Sequence, residues 1–232
     1  MSDSLSLSSC ARDLSPPSPL SVMDSESTVF VVDSETKARQ GIVSLVKAKG
    51  LRAAGFASAN EFLEEYDPAK KGCIVIDVRL GDTSGLELLQ KLKAGKNSLP
   101  VVMMAGDADV PLAVRAMQEG AVSFLEKPCQ DRDVWEAISQ ALEIEKTQHL
   151  QRKERAETQA RLQTMSDDEL EVFRRLLAGQ ANKRIASDLD IGLRTVELRR
   201  SNIMKKMQAA SLPDLVRMAI LVDFLKLEGD AA

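Results

Sequence analysis

NKRIASDLDIGLRTVELRRSNIMKKM, residues 182–207, is the stretch on which the reading of this chain turns. Ile185, Ala186 and Leu189 recur at helical spacing, which gives a short first helix an apolar face. Ala186 is small enough for a second helix to cross it closely. Asp190-Ile191-Gly192-Leu193 then stops the first helix and sets Ile191 between the two. Thr195 and Val196 open a second helix in which Val196, Ile203 and Met207 point inward, while Arg194, Arg199, Arg200, Lys205 and Lys206 stay outside. A solvated helical hairpin with a charged face fits the same pattern. A helix that presents its N-terminal turn and a cationic flank, braced by a partner helix, also has what entry into a DNA major groove requires.

The flanking sequence separates the two readings. Ser166-Asp167-Asp168-Glu169 has the S-x-x-E form of a capping box and opens a helix with Val172, Leu176 and Leu177 on one face, ended by Gly179. Ser211-Leu212-Pro213-Asp214 opens a last helix with Leu215, Met218, Ala219 and Val222 inward. On Glu169, Glu171-Val172, Gly179, Asn182-Lys183, Ile185-Ala186, Ile191, Arg194-Thr195-Val196-Glu197, Lys206-Met207 and Ser211-Leu212, the region closely resembles the LuxR-type (NarL/FixJ) DNA-binding domain. Asp190 stands where that family usually has the turn glycine, and Gly192 where it usually has a capping Ser; Asp tolerates the left-handed backbone the turn needs. The resemblance implies binding to double-stranded DNA. Glu197, Leu198 and Ser201 are the expected base contacts, with Arg200 near the groove floor, because Glu accepts from a cytosine amino group and Leu touches a thymine methyl. Lys183, Arg194, Thr195, Arg199 and Lys205 are expected to hold phosphates and set register.

Charge distribution agrees. The chain carries a formal charge of -4 over 232 residues, yet residues 183–206 hold seven cations against three acids, a local +4. That is an electrostatic footprint for phosphates within a mildly acidic molecule. Cys10, Cys73 and Cys129 have no CxxC spacing, and with His149 the single histidine there is no zinc set. Free thiols, no apolar run of membrane-spanning length and no signal-peptide pattern make a cytoplasmic protein without a membrane partner the expectation.

Residues 1–27, rich in Ser and Pro, have too few large apolar groups to offset their ordering entropy and read as a disordered tail. From residue 28 to about 127, apolar runs at 28–32, 51–56, 73–77, 99–104 and 121–125 alternate with helical patterns at 35–49, 58–66, 85–94 and 110–119. This predicts a five-stranded doubly wound α/β domain with a parallel sheet covered on both faces. A final helix begins near Asp131, and Trp135, Ile138 and Leu142 dock it. Beyond that, 146–161 reads as a solvated helical linker with Glu145–His149 and Lys153–Glu157 at i,i+4 spacing and without coiled-coil heptads. The expected boundaries are a tail at 1–27, an α/β domain at 28–144, a linker at 145–164 and a small all-α helix-turn-helix domain at 165–232.

In such a sheet ligands bind at the carboxyl ends of the strands. Asp33, Asp77, Ala105 and Lys127 all fall there. With Val31-Val32-Asp33, Ile76-Asp77-Val78-Arg79, Ser84 to Leu89, Asp109-Val110-Pro111, Gly120-Ala121-Val122 and Phe124-Leu125-Glu126-Lys127-Pro128, the domain resembles a two-component receiver of the FixJ branch, CheY-like in fold. The resemblance implies Asp77 as phosphoryl acceptor, Lys127 as its contact, and a Mg²⁺ site at Asp33, Asp77 and Arg79. It also implies a switch pair at Ala105 and Phe124. Three positions depart from the family pattern. Ser34 replaces one of the paired acids, Ala105 replaces the phosphate-binding Thr or Ser, and Gly81 stands where a Pro is usual. Mg²⁺ prefers anionic oxygens, so the metal site should be weak. The dimer face implied by the family exposes Pro111, Leu112, Arg115 and Glu119.

The chain thus reads as a DNA-binding transcription regulator of the response-regulator type. It holds no nucleophile–base set or Gly-rich phosphate loop, so no enzyme is expected. Its receiver acts either as a degenerate, phosphorylation-independent or weakly phosphorylated homodimerisation module, or conventionally through phosphate from a histidine kinase. A third alternative is sequestration of a protein partner.

Overall fold

The computed structural model describes residues 27–81, 83–95, 99–107 and 109–224, so the Ser/Pro-rich stretch read as a disordered tail lies almost wholly outside the described residues. The chain divides into two compact units, Met1–Glu145 and Lys146–Ala232.

The first unit follows the order β1 (Thr28–Val32), α1 (Thr36–Ala48), β2 (Arg52–Phe56), α2 (Ala59–Glu65), β3 (Gly72–Asp77), α3 (Gly85–Ala94), β4 (Val101–Ala105), α4 (Val110–Gln118), β5 (Ser123–Glu126) and α5, which runs unbroken as Asp131–Leu162. The sheet order is β2-β1-β3-β4-β5, and every pairing is parallel. Because side chains alternate along a strand, each central strand feeds two cores. Phe30, Val32, Ile74, Ile76, Val101 and Met103 meet α2, α3 and α4 on one face. Val29, Val31, Cys73, Val75, Val102 and Met104 meet α1 and the start of α5 on the other. The fourth strand begins later than the apolar run suggested, since Pro100 lacks an N–H and only its carbonyl joins the ladder, accepting from Ile74 N at 2.9 Å.

Local chemistry sets the helix ends. Ser58, Ser84 and Asp109 each accept a first-turn backbone N–H at the starts of α2, α3 and α4. Gly85 admits no side chain, because a Cβ there would lie 2.2 Å from the Asp77 carbonyl oxygen. This close approach seats α3 directly against the end of β3. Gly81, in the intervening loop, has φ +81, a conformation closed to the proline usual at that position.

The second unit contains the last turns of α5 together with α6 (Asp167–Leu177), α7 (Asn182–Asp188), α8 (Leu193–Met207) and α9 (Leu212–Leu221). Its core is built on Leu162, Val172, Phe173, Leu176, Ile185, Val196, Ile203, Met207, Leu215 and Val222. The capping box is complete: Ser166 Oγ accepts from Glu169 N, and Glu169 Oε2 accepts from Ser166 N at 2.9 Å. Asp190 takes φ 52 in the turn, Ile191 packs against the core, and Gly192 caps α8 without a side-chain hydrogen bond.

The linker departs from its reading as a solvated helix. Residues 150–157 are exposed, but Thr158 and Leu162 are buried, and Leu162 belongs to the core of the second unit. Glu154 pairs with Arg217 at 2.6 Å, Arg155 with Asp223 at 2.7 Å, and Arg161 donates to the Met207 carbonyl at 3.3 Å. Two inward positions one turn apart make too short a stripe to register as amphipathic periodicity. Within this stretch Glu157 pairs with Arg161 at i,i+4 spacing, 3.8 Å apart.

Candidate nucleic-acid interface and receiver site

Val196, Ile203 and Met207 anchor α8 in the core at 0% exposure, which turns Arg194, Thr195, Glu197, Leu198, Ser201 and Lys205 outward. Leu198, at 61% exposure, is an apolar side chain left in water between two polar ones, as a base-methyl contact requires. Lys183 is exposed at the start of α7. Two of the expected contacts are engaged within the protein instead. Arg200 is half-buried and donates to Asn182 Oδ1 at 3.2 Å, bracing α8 against α7. Arg199 is half-buried in an ion pair with Asp168 of α6. Lys206 is a positioning residue. Its ammonium lies 2.6 Å from Glu169 Oε2 and donates to the Thr164 carbonyl at 2.8 Å. Burial opposes ionisation of Glu169, but the hydrogen bonds from Lys206 and Ser166 outweigh it and hold the carboxyl below its usual range.

In the first unit, Asp33, Asp77, Ala105 and Lys127 meet at the carboxyl edge of the sheet. Asp33 and Asp77 are buried, and Ala105 presents a buried methyl. Lys127 precedes Pro128 across a cis bond and is held by its own N–H on the Ala105 carbonyl at 2.7 Å. Its ammonium bridges both acids, 2.7 Å from Asp33 Oδ2 and 3.3 Å from Asp77 Oδ1. Asp33 Oδ1 accepts from Glu35 N at 2.8 Å, so both of its oxygens are committed. The Ser34 hydroxyl donates to the Arg79 carbonyl at 3.1 Å. The Arg79 guanidinium pairs with Asp107 at 2.8 Å. Burial, with the neighbouring Asp33 charge, pushes the Asp77 carboxyl above its usual range against the pull of Lys127. Burial also works against the Lys127 charge, but hydrogen bonds and charges from Asp33 and Asp77 prevail and raise it.

Receiver domains generally bind Mg²⁺ for phosphorylation. The donors that the sequence offers for it are the Asp33 and Asp77 carboxylates and the Arg79 carbonyl. Here the Lys127 ammonium bridges the two acids, the carbonyl accepts from Ser34, and Ser34 stands in place of the third acid. Among the described residues there is no cluster of three His, Cys, Asp or Glu suited to a metal. The residues present supply two carboxylates and one carbonyl, fewer anionic oxygens than the paired-acid set of the family. Glu35, one residue beyond Ser34, is exposed.

The expected dimer face is corrected at two positions. Leu112 packs against the core, and Glu119 is held by Arg115 and by Gln90 of α3, each at 2.9 Å. The apolar stripe that α4 exposes is Val110, Val114 and Met117, at the i, i+4, i+7 spacing of one helix face. Pro111 and Arg115 are exposed as expected. Phe124 is half-buried and packs against the same core as Leu112.

Comparison with known proteins places this arrangement. Residues 29–139 match the response regulator receiver domain family, and residues 163–219 match the bacterial regulatory proteins of the luxR family. The chain belongs to the response regulators of the FixJ/NarL type, DNA-binding transcription regulators that join these two domains. It is 45% identical over 193 residues to the transcriptional regulatory protein FixJ of Azorhizobium caulinodans, covering 83% of this chain and 92% of that one. To FixJ of Rhizobium meliloti it is 42% identical, covering 85% and 97%. Among solved structures, the response regulator StyR superposes with a TM-score of 0.76 at 34% identity, covering 84% of this chain and 98% of that one. Full-length FixJ from B. japonicum gives 0.53 at 36% identity, covering 87% and 99%. No described helix is long and apolar enough to cross a membrane.

Proposed function

We propose that this regulator binds paired DNA half-sites as a homodimer and that its receiver dimerises without a stable phosphoryl group. Glu197, Leu198 and Ser201 of α8 read base edges. Lys183, Arg194, Thr195 and Lys205 take phosphates and fix register. The observation that carries the regulatory half is the closed charge network of the receiver. Lys127 bridges Asp33 and Asp77, the Ser34 hydroxyl donates to the Arg79 carbonyl, and Ala105 offers no hydroxyl to a phosphoryl oxygen. Loss of such a hydrogen bond to an ionised group costs about 1.5–3 kcal/mol. The methyl at Ala105 also leaves room for Phe124 to rest inward, which biases the domain toward its dimer-forming state.

A second reading is a conventional regulator phosphorylated on Asp77 by a histidine kinase. It is favoured by the intact Asp33, Asp77 and Lys127. Incubation with acetyl phosphate, or with beryllofluoride and Mg²⁺, decides between them. The proposal expects no mass shift and no change in dimer fraction. A shift that Asp77→Asn abolishes establishes the second reading. If dimer and DNA complex are both absent under every condition, the regulator acts through a protein partner instead.

A further inference from the structure

The cations of α8 are not equally available to DNA. Arg194 and Lys205 are exposed, whereas Arg199 and Lys206 are each paired with an acid in the first turn of α6. The two pairs differ in kind. Glu169 is buried, with a side-chain exposure of 8%, and it also accepts the Ser166 N–H, so Lys206–Glu169 is a fixed part of the core. Asp168 has a side-chain exposure of 69% and bonds Arg199 from the solvent side. With Arg199 itself only 22% exposed, the pair has one partner in water and one against the protein, and is worth on the order of 1 kcal/mol. Arg199 lies one residue from Leu198 and two from Ser201, on the helix to which the proposed function gives the DNA contact.

We propose that Asp168 is an intramolecular competitor for DNA phosphate: it holds the Arg199 guanidinium and keeps it from taking a phosphate. This inference rests on the DNA-binding role of α8 but not on any state of the receiver. The competition acts on the sequence-independent part of binding, because Glu197, Leu198 and Ser201 are untouched by it. Each cation that reaches a phosphate steepens the dependence of log affinity on log salt by about 0.9. Asp168 therefore flattens that dependence by about one unit per protomer and weakens binding to every duplex alike.

The test uses the full-length protein and a fluorescein-labelled duplex of arbitrary sequence, titrated by anisotropy across a series of NaCl concentrations. Asp168→Asn keeps the side-chain shape and removes the charge. It is expected to tighten binding roughly three- to tenfold near ~0.1 M salt and to steepen the salt slope by about one. Arg199→Ala alone should change the slope little. In the double variant the gain should vanish, which assigns it to Arg199 rather than to loss of general repulsion. Weaker binding by Asp168→Asn would mean that Asp168 positions Arg199 for contact, and an unchanged slope would mean that Arg199 never reaches phosphate; either result overturns the inference. Arg194→Ala and Lys205→Ala serve as references. If they weaken binding while Asp168→Asn does not strengthen it, the competitor is wrong and the DNA-binding helix stands. If neither reference variant alters binding, the placement of α8 on DNA fails first.

Discussion

Ala105 shows how one missing hydroxyl propagates. Its buried methyl stands at the end of β4, beside the carbonyl that holds Lys127 in place. Phe124, one strand over, packs against the core beneath α4. Restoring a hydroxyl and methyl with Ala105→Thr fills part of the space that an inward ring uses. If Phe124 biases the receiver toward dimerisation, this variant should weaken basal dimerisation about fivefold, the equivalent of roughly 1 kcal/mol of population shift. Sedimentation equilibrium in the absence of phosphate donor reads this directly. A dimer constant equal to the parent's, in a variant whose melting temperature is unchanged, rules out the inward ring as the bias. A large fall in melting temperature instead reports overpacking, which typically costs about 1–3 kcal/mol. In that case Ala105→Ser, which adds only the hydroxyl, is the variant whose dimer constant decides.

At the scale of elements, α4 is the helix on whose outward face the proposed dimer would meet. Val110, Val114 and Met117 leave 76%, 48% and 47% of their surface in water along one stripe. Apolar stripes of this kind mark protein contact surfaces. Val114→Glu should therefore lower dimer affinity at least about tenfold while changing stability by no more than about 0.5 kcal/mol, as is usual for an exposed site. An unchanged sedimentation coefficient would move the dimer contact off α4. The same stripe marks where sequence pattern stops being informative. The helix itself was legible from the helical pattern at 110–119. Which of its apolar residues faced outward was not, because Leu112, Val114 and Met117 are chemically alike and only the sheet beneath selects Leu112 as the partly buried one. Charged side chains obscured the engaged cations in the same way. Nothing local distinguishes Arg199 from Arg194, and the pairing with Asp168 joins residues far apart in sequence. By contrast, the Asp190 turn and the capping box at Ser166 rest on short-range chemistry and fall where the spacing predicted, while the strands are found within two residues of their expected bounds. The Ser34 hydroxyl was recognised as a lost acid, but its bond to the Arg79 carbonyl depends on two loops meeting at the sheet edge.

At the scale of the whole molecule, the surroundings of Glu169 and Asp77 predict opposite acid responses for the two units, and the chain has its own reporter for separating them. Its single Trp, Trp135, and single Tyr, Tyr66, both belong to the first unit. Trp135 packs on the core face covered by α1 and α5, with the Lys49 ammonium 5.5 Å from its ring. In the second unit, Glu169 has a folded-state pKa below its ordinary 4.5. Its contribution to stability is present above that ordinary value and is lost as pH falls through the lowered one. In the first unit, Asp77 has a folded-state pKa above its ordinary 3.8. The folded state binds that proton more tightly, so the cost of burying the charged form is relieved as pH falls through the raised value toward the ordinary one. Acidification from neutrality should therefore destabilise the second unit through Glu169 while Asp77 supports the first. In urea titrations, the transition followed by Trp135 fluorescence should hold or rise as pH falls toward about 4. The helical signal of the second unit, followed by circular dichroism, should move to lower urea. Glu169→Gln should bring the second transition to its acid position already at neutral pH, a loss of about 2 kcal/mol for a buried charge-assisted hydrogen bond, and should leave Trp135 unmoved. Asp77→Asn should make the Trp135 transition less dependent on pH. If the fluorescence and helical transitions instead shift together at every pH and in both variants, the two units do not unfold separately and the opposing assignments of Glu169 and Asp77 fail.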